Sequence, residues 1–237
     1  MTEEPYRWLE AIGNRREYIR EQMKGGTPVF AVSRPEGILL LGVGIGHSKV
    51  FEVYDRHGLA ALGHPVDIEK LRQAAIEAAH MEGFNRNPKD VTLRRLISFA
   101  LSTTLKHSFE QIFAPPFIVE SVWAELGDTQ AGDVLCRVHY DGNHTWDTTG
   151  VLLAHSDDTK EKEALDWLRN QLKPERSLNH VAALCLVVWQ ALTDNKPFAE
   201  LKAPDNPPLS IPGKKLEAAL LDRKISGPVH YRELDLK

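Results

Sequence analysis

The order of strand-like and helix-like segments constrains the fold of this chain more than any other feature. From residue 28 onward, a group of apolar runs of strand length is followed by two helix-patterned segments. The same succession of strands and two helices then occurs a second time, and further strand-like runs close the chain. Successive strands joined by short turns pair antiparallel, and helices grouped after them cover one face of the sheet. The sequence therefore predicts an α+β fold: a four-layer αββα sandwich of two antiparallel sheets with a helix pair on each outer face.

The segments are assigned from the periodicities of strands and helices. Strand-like runs lie at 28–33, 37–43, 49–54, 59–62, 117–126, 134–140, 149–154, 216–222 and 229–234. Helical spacing of apolar residues predicts helices at about 68–82, 93–113, 157–172 and 177–192. No internal repeat or domain boundary is visible, so residues 27–237 are interpreted as one sandwich core.

A charged helix is predicted to precede this core, over residues 8–24. Its apolar stripe is narrow and consists of Trp8, Ile12, Ile19 and Met23. A helix of this kind is marginal alone, so we expect it to lie on its own domain or on another subunit. Residues 1–7 are polar and carry Pro5, which predicts a flexible segment.

Composition excludes several classes of function. The net charge of -4 gives no electrostatic reason to expect nucleic acid or an anionic membrane as a partner. The two cysteines, Cys136 and Cys185, stand far apart in apolar runs and are expected to be buried free thiols in a reducing compartment. No transmembrane or secretory segment is visible, so a cytoplasmic location is the expectation.

The junction Lys24-Gly25-Gly26-Thr27-Pro28 has two interpretations. Glycine tolerates the left-handed conformation that ends a helix, so the junction can be a hinge before the first strand. It can also be a cleavage site that frees an N-terminal threonine, whose hydroxyl is the nucleophile and whose amine is the base. The first interpretation indicates a scaffold and the second an enzyme.

Other motifs have plain structural explanations. The stretch from Gly42 to Lys49 resembles a phosphate loop, but its Ser48-Lys49 order is reversed and no helix follows, so a flexible loop is favoured. His139 and His144 flank a turn at Asp141-Gly142-Asn143 without a third metal ligand. The loop His155-Ser156-Asp157-Asp158 is better explained by Asp157 as a helix N-cap. No cofactor or metal site is predicted.

Short stretches spread along nearly the whole chain resemble one family. The first are Lys24-Gly25-Gly26-Thr27, Lys49-Val50-Phe51-Glu52-Val53-Tyr54-Asp55-Arg56, Ala61-Leu62-Gly63 and Asn87-Pro88-Lys89-Asp90-Val91-Thr92. The later ones are Val119-Glu120-Ser121-Val122-Trp123-Ala124-Glu125, Val138-His139-Tyr140-Asp141-Gly142 and Leu216-Glu217-Ala218-Ala219-Leu220-Leu221-Asp222. In order and spacing they resemble the α-type subunits of the 20S proteasome, most closely the bacterial, actinobacterial kind. The resemblance implies the Ntn-hydrolase, proteasome-subunit fold.

The resemblance sharpens the question of catalysis. Catalytic β-type relatives carry an aspartate at the end of the second strand and a lysine further on, both close to the threonine. The second strand here ends in Leu41-Gly42-Val43-Gly44, without an acid. Lys49 falls where α-type subunits keep a different lysine, at the outer surface, so the β-type lysine is expected to have no counterpart. Thr27 is therefore expected to stay in mid-chain, in a subunit without catalytic residues of its own.

The resemblance also implies partners and sites. The chain would form a heptameric ring with its own copies, above β-type subunits. Lys49, with backbone donors near Gly63 and with Glu21 as a pairing partner, would bind the C-terminal carboxylate of a ring ATPase or activator tail. The axial gate would consist of Met1, Thr2, Glu3, Glu4, Pro5 and Tyr6. Two alternatives stay open: a divergent threonine hydrolase self-processed at Gly26-Thr27, and a stand-alone proteasome-like homo-oligomer.

Overall fold

The computed structural model describes residues 4–173, 176–203, 209 and 211–236, with the backbone alone for residues 4–6. The helices are α1 Glu4–Met23, α2 Pro65–Asn85, α3 Leu93–Arg95, α4 Ser102–Glu110, α5 Asp158–Gln171 and α6 Leu178–Thr193. A π-helical segment, Leu96–Leu101, joins α3 to α4. The strands are β1 Val29–Arg34, β2 Gly37–Gly44, β3 Val50–Tyr54, β4 His57–Gly63, β5 Val119–Glu125, β6 Val134–Val138, β7 His144–Asp147, β8 Val151–Ala154, β9 Lys215–Asp222 and β10 Tyr231–Glu233.

The strands form two antiparallel sheets of five strands each, in the orders β10-β9-β2-β1-β8 and β3-β4-β5-β6-β7. One apolar cluster lies between the sheets. A second joins the first sheet to α5 and α6, and a third joins the second sheet to α2 and the helical run from α3 to α4. The predicted four-layer αββα sandwich is confirmed.

Strands β1 and β2 show how the sequence encodes these layers. Every residue of β1 is buried, because helices cover one face of its sheet and the second sheet covers the other. Phe30 and Leu39 belong to the cluster under α5 and α6, whereas Ala31 and Leu40 belong to the cluster between the sheets. A strand buried on both faces is a continuous apolar run rather than an alternation, as residues 29–32 and 38–41 are.

The first helix begins earlier than the sequence predicts. Helix α1 starts at Glu4, not at Trp8, so the backbone of Glu4, Pro5 and Tyr6 is helical. Pro5 is compatible with this start, because the first turn of a helix does not need its N–H groups. The remaining predicted gate residues, Met1, Thr2 and Glu3, lie outside the described residues.

Other boundaries also differ. Strand β7 was not predicted: it is a short edge strand of mixed polarity in which no position is fully buried. The predicted strand at 149–154 begins only at Val151, because the Asp147 carboxylate accepts hydrogen bonds from the N–H groups of Gly150 and Val151 in the turn. The helix predicted to reach residue 113 ends at Glu110.

Candidate functional site

Helix α1 lies against one end of the sandwich and is held there by its C-terminal half. Ile19 and Met23 are buried in the cluster between the sheets. The Arg15 guanidinium donates to the carbonyl oxygens of Ser108 and Ala114, at 2.9 and 2.7 Å, and thereby ties α1 to the end of α4. The N-terminal half of α1 makes less contact, and Trp8 is about half exposed at 48%.

The junction after α1 is a hinge that enters β1. Gly25 has φ +84°, in the left-handed region that ends a helix, and the Gly26 N–H donates to Met23 O at 2.9 Å. The Thr27 hydroxyl donates to the carbonyl of Val43, at 2.5 Å, and so fastens the hinge to the end of β2. A cleft of about 670 Å³ lies beside the hinge, between α1, the start of α5 and the end of α6.

Lys49 lies at the same end of the molecule, directly before β3. Its aliphatic stem crosses β2 over two glycines: a Cβ added to Gly42 would lie 2.9 Å from the Lys49 Cβ, and one added to Gly44 would lie 3.3 Å from the Lys49 Cε. The amine donates to the carbonyl oxygen of Thr27 at 3.3 Å. The stretch from Gly42 to Lys49 is therefore not one flexible loop, because β2 continues to Gly44 and its glycines make room for the lysine.

The environment of the Lys49 amine sets its charge. Burial lowers the pKa of Lys49 to about 8, and the nearby Glu217 carboxylate opposes this shift. The amine is therefore mostly protonated at neutral pH and loses its charge as the pH rises through about 8. A half-buried ammonium that contacts a neutral carbonyl can bind an incoming carboxylate.

Gly63 and Glu21 have different relations to Lys49. The Lys49 carbonyl accepts a hydrogen bond from Ala61 N at 2.9 Å, which places Gly63 two residues further along β4 at the same end of the sheet. Gly63 has φ +131° and closely approaches Ile118, so a side chain there would clash. Glu21 is exposed and, within the single chain, pairs with Lys24 on its own helix.

A second charged group lies at this end, and the sequence did not reveal it. Arg137, on β6, pairs with Glu120 on β5 and lies 3.1 Å from the Glu161 carboxylate on α5. Burial lowers the pKa of Arg137, but the two carboxylates outweigh burial and hold it above its ordinary value. His139 lies 3.1 Å from Glu120 and its pKa is also raised: burial lowers it, but the hydrogen bond to Glu120 and the charges of Glu120 and Glu161 together outweigh burial. We call these four side chains the Arg137 cluster.

The remaining motifs make structural contacts, and for Asp157, Cys136 and Cys185 these agree with the sequence-based predictions. His139 belongs to the Arg137 cluster, and His144 contacts Ser102 Oγ at 2.9 Å. Asp157 is the N-cap of α5 and accepts hydrogen bonds from the N–H groups of Thr159 and Lys160. Cys136 and Cys185 are buried free thiols. Among the described residues there is no group of three or more metal-binding side chains.

Comparison with known proteins identifies the family. No protein-family model matches the chain. A proteasome subunit alpha of Nocardioides sp. is 31% identical over 227 residues, which cover 95% of this chain and 82% of the relative. Proteasome subunits alpha of Geodermatophilus obscurus (32% identity, 91% of this chain and 72% of the relative) and Arthrobacter sp. (31%, 90% and 84%) are similarly close. The chain belongs to the proteasome α-subunit family.

For a member of the proteasome α-subunit family, the surroundings of Thr27 correct one sequence-based inference. The sequence predicted no counterpart of the lysine of catalytic β-type relatives, yet the Lys49 amine lies 3.3 Å from the Thr27 carbonyl oxygen, because the glycines of β2 let the side chain cross the strand. At the end of β2, Val43 is buried among apolar side chains. Along the described residues, no helix is long and apolar enough to cross a membrane.

Proposed function

We propose that this member of the proteasome α-subunit family is a non-catalytic subunit of a bacterial 20S proteasome in the cytoplasm. With its own copies it forms the heptameric outer ring above a ring of β-type subunits. The ring restricts the passage of substrates through an axial gate formed by the segment from Met1 to Tyr6. A ring ATPase or activator docks on the outer face through the C-terminal carboxylate of its tail.

The observation that carries the docking proposal is the Lys49 amine. It is half-buried, protonated at neutral pH, and in contact with the carbonyl of Thr27. A point cation in a partly desolvated site binds a carboxylate more strongly than a solvated surface lysine does. Gly63 lies at the same end of the neighbouring strand and is partly exposed.

The exposed apolar side chains of α1 support assembly into a ring. Trp8 and Tyr18 are about half exposed, and Leu9 is 66% exposed. Exposed aromatic and aliphatic side chains clustered on one element are typical of protein interfaces. We expect neighbouring copies to cover them, with the α1 helices packed side by side.

The surroundings of Thr27 support the absence of catalysis. The Thr27 nitrogen is an amide in mid-chain, so it has no lone pair available as a base. The Thr27 hydroxyl already donates to Val43 O, and the side chain at that end of β2 is apolar.

The experiment is co-expression with a β-type subunit encoded in the same genome, followed by sizing and peptide-hydrolysis assays. We expect a four-ring particle that hydrolyses peptides only when β-type subunits are present. Deleting residues 2–6 should accelerate peptide hydrolysis, because it widens the pore. The control replaces the same residues with a Gly/Ser segment of equal length. A particle that excludes β-type subunits would instead favour the stand-alone homo-oligomer, and unchanged hydrolysis after the deletion would contradict gating.

One observation favours a second candidate, the self-processed threonine hydrolase. A lysine amine close to Thr27 is what such an enzyme requires, and Lys49 supplies one. Intact-mass measurement of the purified chain distinguishes the two. Loss of the residues up to Gly26 would establish processing, whereas the full mass supports the α-type role.

A further inference from the structure

Glu217 contacts the proposed docking site from a distant part of the chain. It lies on β9 directly opposite Gly42 of β2, the glycine over which the Lys49 stem passes. One of its carboxylate oxygens accepts a hydrogen bond from the backbone N–H of Lys49 at 2.7 Å. The other lies 3.5 Å from the amine of Lys215, which is 73% exposed.

We infer that Glu217 is the positioning residue of the docking site: it fixes the backbone of Lys49 at the start of β3, and its negative charge keeps the Lys49 amine protonated. The docking part of this inference rests on the proposed function. The contact between Glu217 and Lys49 does not, because it is a property of the single chain.

Glu217 contacts the backbone of Lys49 and not its amine. Glu217 hydrogen-bonds to the backbone N–H of Lys49, and the Lys49 amine contacts Thr27 O instead. The negative charge of the carboxylate therefore stabilises the ammonium electrostatically, although the carboxylate is not hydrogen-bonded to it. The ammonium stays charged in a partly desolvated place and remains available to an incoming carboxylate.

The other ionisable groups near this site leave Glu217 as the main source of negative charge. Tyr231 on β10 donates to Val50 O, and burial raises its pKa to about 12, so it is neutral over the working range. On α1, Glu21 and Lys24 are exposed and paired with each other. Burial is the largest influence on the pKa of Lys49, and the Glu217 charge acts against it.

The test begins with Glu217→Gln in the full chain, since glutamine keeps an acceptor for the Lys49 N–H and removes the charge. The Lys49 titration is followed by NMR of ¹³C-labelled lysine, with Lys49→Arg used for assignment. We expect the titration midpoint in Glu217→Gln to fall by about one pH unit from its wild-type position. Lys215→Gln is the matched control, because it removes the exposed neighbour of Glu217 and should leave the midpoint in place. An unchanged midpoint in Glu217→Gln would overturn the inference.

The second readout is docking on the assembled particle. The probe is the C-terminal decapeptide of each ring ATPase encoded in the same genome, as free acid and as carboxamide. At about pH 7.5, Glu217→Gln should bind the free acid about threefold more weakly than wild type, and at about pH 6 the difference should vanish. A loss of binding that is equal at both pH values would indicate a merely structural role and would contradict the inference about charge. If no decapeptide binds the wild type, the docking proposal fails, while the NMR midpoint still decides the role of Glu217.

Discussion

Arg137 and Lys49 both lie partly or wholly buried at the same end of the sandwich, but neighbouring carboxylates balance their positive charges to very different degrees. Arg137 lies between two carboxylates, Glu120 and Glu161, and its pKa is raised. Lys49 contacts a carbonyl oxygen, and burial lowers its pKa to about 8. The first cation has its partners within the chain and contributes to structure. The charge of Lys49 has no such partner contact with its amine in the described part of the chain, and we propose that it binds a carboxylate of another molecule.

The largest predicted effect tests the structural side of this comparison. Arg137→Met leaves Glu120 and Glu161 withdrawn from water without their cation, which should lower the free energy of unfolding by about 3–5 kcal/mol. Urea denaturation measures the loss. Combining Arg137→Met with Glu120→Gln and Glu161→Gln should restore most of the stability, because no uncompensated charge remains. Equal instability of the single and triple variants would show that packing, rather than charge, is responsible.

Gly42→Ala should have an intermediate effect and tests how Lys49 is placed. A methyl group there would lie 2.9 Å from the Lys49 Cβ and 3.3 Å from Val29, so the lysine stem must move. We expect a loss of about 1–3 kcal/mol in the free energy of unfolding, as in other overpacked sites. Decapeptide docking should also weaken. The control is Gly13→Ala, since no atom lies within 4 Å of the added methyl there. If both variants lost similar amounts of stability, the conclusion that the Lys49 stem packs over Gly42 would be contradicted.

Glu21→Gln should have the smallest effect. Glu21 pairs with Lys24 on the surface of α1, with both side chains more than half exposed. Exposed ion pairs contribute about 0–1 kcal/mol, so stability and decapeptide docking should each change by less than about fivefold in the relevant equilibrium constant. Sizing the assembled particle in parallel tests the alternative that Glu21 pairs with Lys49 of a neighbouring copy. A marked loss of docking with intact assembly would support that alternative.

The layers of the fold were predictable because they follow from local patterns. The apolar runs of β1 and β2 and the turn at Gly142 specify strands and their connection within a few residues of sequence. Strand β7 was missed because it has no buried position that would produce a periodic signal. The start of α1 at Glu4 was missed because the polar segment that carries Pro5 was interpreted as flexible, although proline is compatible with the first turn of a helix.

The candidate site was only partly predictable, because its contacts join distant parts of the chain. Lys49 and Gly63 were found through resemblance to a family. The contact between Glu217 and Lys49 spans 168 residues, and no short pattern encodes it. The glycines at 42 and 44 were the available signal: glycine inside a strand often marks the close approach of another group, and here that group is the lysine stem.

The most direct test of the central claim compares binding of the free-acid and carboxamide decapeptides to assembled particles carrying wild-type chain or Lys49→Met. The account predicts that the wild type prefers the free acid by at least about tenfold at neutral pH, and that Lys49→Met removes this preference while the particle stays assembled. Lys215→Met, a matched change at an exposed neighbour, should keep the preference. An undiminished preference for the free acid in Lys49→Met would contradict the account.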